Sequence, residues 1–141
     1  MPTTIERAPL AFSPLHLFLL ASMVPLFVGA ALSDYAYAST YQVQWTNFSS
    51  WLIVGGLVFN GAALVCGLIG LLHARRRDSR FVIQFVLLLA AFVLGFINAF
   101  IHARDAWASM PTGWALSIVV AVLASATAAV GFSPERMGST P

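Results

Sequence analysis

The chain has 141 residues, of which 60% are hydrophobic and 9% are charged, and its formal net charge is +2. Soluble domains carry about 25% charged residues, because a surface with far fewer charges associates through its apolar patches. The composition therefore excludes a water-soluble globule and predicts a single domain that resides in lipid. The small positive charge is concentrated in one stretch, so no nucleic-acid partner is expected.

Four apolar runs are long enough to cross a bilayer, which requires about 20 residues per helix. They predict an all-α integral membrane protein, a four-helix antiparallel bundle, with spans at 14–33, 51–73, 81–103 and 114–132. Ser13 and Pro14 are suited to the first turn of the first helix. Pro25 lies inside that span and predicts a kink there.

The segments between the spans are shorter and more polar. We expect an arm at 1–13, outer loops at 34–50 and 104–113, a basic turn at 74–80 and a tail at 133–141. The arginines of the turn are Arg75, Arg76, Arg77 and Arg80. Because positive residues are retained in the cytoplasm, this turn and both termini are predicted to be cytoplasmic, with the arginines near anionic lipid headgroups.

Each span also carries small residues four positions apart, a spacing that lets helix backbones approach closely in lipid. We expect these stripes to form the helix contacts: Ala21, Pro25, Gly29 and Ser33; Ala62, Cys66 and Gly70, with Ala63 and Gly67 alongside; Ala91, Gly95, Ala99 and Ala103; Ala121, Ser125 and Ala129. Asn60 and Asn98, each inside a span, are expected to share a cross-helix hydrogen bond.

A pattern of spaced residues extends over the four-span region: Pro14-Leu15-His16, Pro25, Asp34, Gly55-Gly56, Gly67 to Gly70, Asn98 and Arg104. In this pattern the chain resembles the bacterial membrane proteins grouped as domain of unknown function 2231 (DUF2231). The chain departs from the family pattern at His73, where an aspartate would be expected. The resemblance implies a four-helix protein of the bacterial inner membrane and no particular activity.

Two histidines at helix ends suggest one kind of cofactor site. His16 lies at the start of the first span and His73 at the end of the second, so both are expected at the cytoplasmic level of the bundle. Two neutral imidazoles on facing helices are the ligands that a b-type haem requires. The alternative is that His73 is an interfacial residue at a helix C-terminus and that His16 hydrogen-bonds to a neighbouring helix.

A second set of polar residues is predicted at the outer ends of the first and third helices. Asn98, His102 and Asp105 follow one helical stripe, and Asp34 and Arg104 are expected at the same level. Such a cluster suits proton-linked or small-ligand binding, because a histidine changes charge near neutral pH. The alternative is a structural polar cap that joins two helix ends.

Other function classes lack their characteristic residues. The spans contain no acidic residue near their middle and no evident inverted repeat, which argues against a transporter acting alone. No serine or cysteine has a histidine and a carboxylate plausibly beside it, so no enzyme activity is expected. These observations favour a non-catalytic accessory or structural subunit of a membrane assembly, or self-association. Haem-based electron transfer and proton-linked or ligand binding are the alternatives.

Overall fold

The computed structural model describes residues 13–73 and 78–133. Within these ranges the chain forms five helices: α1 (Pro14–Thr40), α2 (Val43–His73), α3 (Ser79–His102), the short α4 (Ala106–Ser109) and α5 (Thr112–Phe132). All except α4 are long and apolar enough to span a membrane. Both α1 and α3 pack against α2 and α5. The predicted all-α four-helix bundle is confirmed.

The first helix begins where its sequence predicts. Ser13 Oγ accepts a hydrogen bond from the backbone N–H of His16 at 3.3 Å, and Pro14 occupies the first turn, where a backbone N–H would have no helical partner. The helix then continues through Pro25 to Thr40 without a break.

The predicted outer loop 34–50 is helical instead. α1 continues to Thr40 and α2 begins at Val43, so Tyr41 and Gln42 are the residues between the two helices. Tyr41 has a φ of 55°, and this left-handed conformation ends α1. The prediction relied on polarity, but the stretch contains no Gly or Pro that would interrupt a helix. The other predicted outer loop, 104–113, likewise contains α4 and the start of α5.

The buried positions of α2 and α3 follow an alternating spacing of three and four residues. In α2 the buried positions are Thr46, Ser49, Ile53, Gly56, Asn60, Ala63, Gly67 and Gly70. This spacing is typical of knobs-into-holes packing between helices. Large apolar side chains lie on the outside, where a bilayer would contact them; examples are Trp51, Val58 and Leu72.

The predicted small-residue stripes coincide with this core only in part. The buried members are Ser33, Ala63, Gly67, Gly70, Ala91, Gly95 and Ala121. Other members are exposed, namely Ala21, Pro25, Ala62, Ala103, Ser125 and Ala129. A step of four residues advances about 40° beyond a full turn of an α-helix, so a strict four-residue stripe leaves the contact face after a few steps. Alternating steps of three and four residues stay on that face.

Phe27 fills the middle of the bundle and is 1% exposed. A Cβ atom on Gly56 would lie 2.7 Å from Phe27 Cε1, and a Cβ atom on Gly95 would lie 3.6 Å from the same atom. The aromatic ring therefore requires the absence of a side chain at Gly56, and this contact brings α1 and α2 close together.

Several predicted features lie outside the described residues. They are the arm before Ser13, the tail after Ser133, and Arg75, Arg76 and Arg77. Arg80 is described and lies in the first turn of α3. Its guanidinium Nη2 donates to the carbonyl oxygen of Val130 at 2.6 Å and also to that of Ser133. Arg80 thus pairs with carbonyl groups that the end of α5 leaves without helical partners.

Candidate functional site

Five buried polar residues gather at the end of the bundle where α1 turns into α2, which we call the Tyr41 end. We call these residues the Asp34 cluster: Asp34 on α1, Ser49 on α2, Asn98 and His102 on α3, and Ser117 on α5. Asp34 is 0% exposed, and the most exposed of the five, His102, is 6% exposed. Every long helix contributes to the cluster, so its hydrogen bonds connect the whole bundle at this end.

The cluster forms a continuous chain of hydrogen bonds. Asn98 Nδ2 donates to Ser117 Oγ at 2.8 Å, and Ser117 Oγ donates to Asp34 Oδ2 at 2.5 Å. The other carboxyl oxygen, Asp34 Oδ1, lies 2.9 Å from His102 Nε2. Ser49 Oγ lies 3.5 Å from the same nitrogen and donates to the carbonyl oxygen of Ala30 at 3.2 Å. Both carboxyl oxygens of Asp34 are therefore paired with other helices.

The geometry determines how many protons the Asp34 and His102 side chains hold. His102 Nδ1 lies 3.0 Å from the carbonyl oxygen of Asn98, which can only accept, so Nδ1 carries a hydrogen. His102 Nε2 and Asp34 Oδ1 then require one hydrogen between them, because two lone pairs 2.9 Å apart would repel. The pair is either imidazolium with carboxylate or neutral imidazole with carboxylic acid. In either form one proton lies between His102 Nε2 and Asp34 Oδ1, and the pair has no net charge.

The positions of the Asn98 and His102 side chains follow from residues close to them in the sequence or at a helix start. Asn98 and His102 are four residues apart, so they lie on the same face of α3. Gly113, at the start of α5, leaves room for the imidazole, since a Cβ atom there would lie 2.8 Å from His102 Cε1. The ring is thereby held between α3 and α5, with Nε2 directed at Asp34 on α1.

Aromatic side chains contact one another at the Tyr41 end. Tyr37 is 3% exposed and lies one turn beyond Asp34 on α1. Its ring contacts Tyr41 edge to face at a centroid distance of 6.4 Å, and Tyr41 stacks on Trp107 of α4 at 5.8 Å.

Three of the five residues predicted for the outer cluster meet in the structure. Asp34, Asn98 and His102 share the hydrogen-bond chain, whereas Arg104 and Asp105 are exposed and lie outside it. The predicted helical stripe included Asp105, but α3 ends at His102 and the chain turns away toward α4.

Ser49 and Ser117 complete the cluster although no sequence motif singled them out. Isolated serines in apolar helices commonly hydrogen-bond to their own helix, so neither stood out as a site residue. The signal that would have found them is the three-and-four spacing. Ser49 follows Thr46 by three residues and precedes Ile53 by four, and Ser117 follows Gly113 by four.

Asn60 does not pair with Asn98, so that prediction is wrong. When its amide is oriented so that both atoms are paired, Asn60 donates to the carbonyl oxygen of Leu88 and accepts from the N–H of Phe92, each at 3.2 Å. Asn60 therefore joins α2 to the backbone of α3, and the amide of Asn98 bonds to Ser117 instead.

The two histidines predicted as haem ligands lie at the opposite end, which we call the Arg80 end. His16 is 1% exposed, and its Cε1 is 4.0 Å from where a Cβ atom on Gly67 would lie. His73 is exposed, with Nδ1 2.8 Å from the carbonyl oxygen of Ile69 on its own helix. His73 is six residues beyond Gly67, or about 9 Å along α2. The structure does not bring the two rings together, and haem ligation stays a prediction.

The Arg80 end contains two further unpaired groups. His16 Nδ1 and Gln84 Nε2 are buried and have no hydrogen-bond partner among the described residues. The surroundings are tightly packed, since a Cβ atom on Gly131 would lie 2.6 Å from Gln84 Nε2 and 2.6 Å from Leu20 Cδ1. The Asp34 cluster is the better candidate site, because its polar groups converge on one carboxyl group.

A comparison with the profiles of known protein families finds a match. The profile of the family described as "Predicted membrane protein (DUF2231)" matches residues 12–134, a range that includes all four long helices and the whole Asp34 cluster. The comparisons with curated proteins and with solved structures found no match. Because the match extends over most of its length, the chain belongs to the DUF2231 family of predicted membrane proteins.

Proposed function

We propose that the chain is a proton-linked protein of the bacterial inner membrane and that the Asp34 cluster is its proton-binding site. The observation that carries this proposal is the buried contact between Asp34 and His102, whose hydrogen bonds require one shared proton. Ionisable groups inside a membrane protein are costly to bury and commonly mark a functional site. A purely structural cap would need only neutral hydrogen-bonding groups here.

Loss of the shared proton would change the packing at the Tyr41 end. A carboxylate would then face the lone pair of His102 Nε2, so the two side chains would separate. Ser49 Oγ is 3.5 Å from Nε2 and is placed to donate to it in that state, while Ser117 continues to donate to Asp34. Because these residues belong to four helices, proton binding is linked to the arrangement of the bundle. A ligand that binds one of these helix arrangements more tightly would therefore change the affinity of the site for its proton.

Few other titratable groups face this pair. On α1 the neighbouring group is the phenol of Tyr37, which is buried one turn away. The residues that α2 and α5 direct at the pair within the described structure are Ser49, Ser117 and Gly113, none of which titrates near neutral pH. Arg104 and Asp105, which follow α3, are exposed. The proton balance of the site therefore rests on Asp34 and His102.

The proposal predicts that the His102 ring gains or loses its shared proton together with Asp34. Nitrogen-15 NMR of the full chain in detergent, recorded from pH 4 to pH 9, should show Nδ1 protonated throughout and Nε2 sharing a proton in the acid form. Asp34→Asn should abolish the coupled step. His73→Gln, a change at an exposed histidine, should preserve it. A neutral His102 ring with no shared proton over the whole range would contradict the proposal.

We further propose that the Tyr41 end faces the periplasm and that both termini face the cytoplasm. The support is the arginine-rich sequence of residues 74–80, since positive residues are retained in the cytoplasm. In a Cys66→Ser background, a cysteine at the exposed position Ser39 should react with an impermeant maleimide in intact cells. A cysteine at exposed Ser79 should react only after lysis. The reverse pattern would invert the orientation.

An accessory role in a larger membrane assembly is a second candidate. The observation that favours it is a shallow groove of about 310 Å³ on the outer face of α1 and α5, whose lining includes Ala31, Ala121 and Ser125. Small residues in such a groove let another transmembrane helix approach closely. This role, like the absence of enzyme activity, stays a prediction.

A further inference from the structure

We propose that the groove between α1 and α5 holds one acyl chain of a membrane phospholipid, whose ester oxygens contact Tyr35 and Trp114. This inference does not depend on the proton site. The groove has a volume of about 310 Å³ on the outer face of the bundle. Ser125 is the polar member of its lining, and the Ser125 hydroxyl already donates to the carbonyl oxygen of Ala121 on its own helix at 2.8 Å. The groove therefore suits an apolar occupant.

The length of the groove favours a lipid chain over a helix. On α1 the lining extends from Val28 to Leu32, or about 6 Å, and on α5 from Ile118 to Ser125, or about 10 Å. A transmembrane helix crosses about 30 Å of hydrocarbon and is about 10 Å wide with its side chains, so most of it would lie beyond a groove of this length. An acyl chain is narrower, and a short groove is enough to hold one segment of it.

An aromatic contact joins the two walls of the groove toward the Tyr41 end. Tyr35 continues the α1 wall, because it follows the lining residue Ala31 by four positions and so lies on the same face of the helix. Trp114 continues the α5 wall in the same way, four positions before the lining residue Ile118. The centroids of the Tyr35 and Trp114 rings are 5.7 Å apart. The two rings therefore meet directly beyond the groove.

Both rings carry hydrogen-bond donors at the edge of the apolar segments. Tyr35 follows Asp34, where the apolar run of α1 ends, and Trp114 begins the apolar run of α5. Neither the Tyr35 hydroxyl nor Trp114 Nε1 hydrogen-bonds to another described residue. Tyrosine and tryptophan at this depth commonly contact lipid headgroups. The ester oxygens of a phospholipid only accept hydrogen bonds and lie at the top of its acyl chains, so they match two donors directly beyond the groove.

The test uses the full chain, reconstituted into vesicles of equal parts phosphatidylethanolamine and phosphatidylglycerol and then extracted in a mild detergent. Native mass spectrometry counts the phospholipids that stay bound as the detergent concentration rises. We expect one phospholipid per chain to remain after the others have been removed. A chain that retains no phospholipid, or that retains detergent in its place, overturns the proposal.

Two small exposed residues of α5 provide a matched comparison. Ser125→Phe fills the groove and should lower the retention of phospholipid about tenfold, because the added ring replaces the contacts between the acyl chain and the walls. Ala129→Phe adds the same ring one turn further along α5, outside the lining, and should leave retention unchanged. Equal retention in the two variants overturns the location of the lipid.

Conservative variants test the polar end of the site without adding volume. Tyr35→Phe removes one donor and should lower retention about fivefold, the equivalent of one hydrogen bond. Tyr41→Phe removes the hydroxyl of an exposed ring that stacks on Trp107 instead of Trp114, and it should leave retention unchanged. Both variants keep their rings, so this comparison decides the question if Ser125→Phe does not fold. Equal retention in Tyr35→Phe and Tyr41→Phe overturns the contact with the ester oxygens.

A transmembrane helix in the groove is the competing outcome. In a Cys66→Ser background, Ser125→Cys should form no disulfide-linked pairs in native membranes if a lipid occupies the groove. Efficient disulfide formation between two copies would place a helix there and overturn the lipid. None of these results bears on the proton shared by Asp34 and His102, which the NMR titration tests separately.

Discussion

Replacement of His102 by leucine is expected to lower the free energy of unfolding by about 3–5 kcal/mol at neutral pH. The substitution removes the group that shares a proton with Asp34, whose side chain is 0% exposed, and leaves the carboxyl group without that partner. The measurement is reversible unfolding in mixed detergent micelles.

Two controls separate this effect from a simple change of side chain. Asp34→Asn combined with His102→Leu removes both members of the pair and should recover part of the stability lost in His102→Leu. His73→Leu replaces an exposed histidine that bonds to its own helix, and we expect it to change the free energy of unfolding by less than about 0.5 kcal/mol. Equal losses for His102→Leu and His73→Leu would show that the buried pair contributes nothing to stability.

Gly56→Ala should destabilise the bundle by about 1–3 kcal/mol, because the added methyl group overlaps Phe27. The new Cβ atom would lie 2.7 Å from Phe27 Cε1 and 2.8 Å from Cζ. The ring has little space to withdraw, since Phe27 is 1% exposed and also lies close to Gly95. The same unfolding measurement reports the effect.

The adjacent glycine is the matched control for this change. A Cβ atom on Gly55 would lie 3.5 Å from Leu26 Cδ1, which is an ordinary van der Waals contact. Gly55→Ala should therefore leave the free energy of unfolding unchanged or raise it slightly. Phe27→Leu in the Gly56→Ala background should restore part of the loss by removing the overlap. Equal losses for the two alanine variants would rule out the contact with Phe27 as the cause.

The His102→Leu and Gly56→Ala predictions concern contacts at two different heights along the axis of the bundle. Near its middle, Phe27 packs against backbone at Gly56, and this contact depends on shape. At the Tyr41 end, Asp34 and His102 depend on a proton and on donors from neighbouring helices. A change in the proton balance should thus alter packing mainly at the Tyr41 end, away from the central contact around Phe27.

The elements that were predicted well follow from properties of single residues and their neighbours along the chain. Apolar runs separated by a basic turn predict four membrane-spanning helices, because transfer into lipid depends on each side chain almost independently of its contacts. Ser13 and Pro14 marked the start of α1 for a similarly local reason. Polarity alone failed for 34–50, since polar residues without Gly or Pro continue a helix as well as they form a loop.

Only the tertiary structure decided which polar groups meet. The sequence made Asp34, Asn98 and His102 candidates. The structure adds Ser49 and Ser117 to the cluster and leaves Arg104 and Asp105 outside it. This outcome depends on how each helix is rotated about its axis and on where the helix ends. The sequence by itself determined that the chain spans a membrane as four helices, because hydrophobic transfer adds up residue by residue. The contact between Asp34 and His102 and the hydrogen bond from Ser117 join atoms of different helices, and packing alone brings those atoms together.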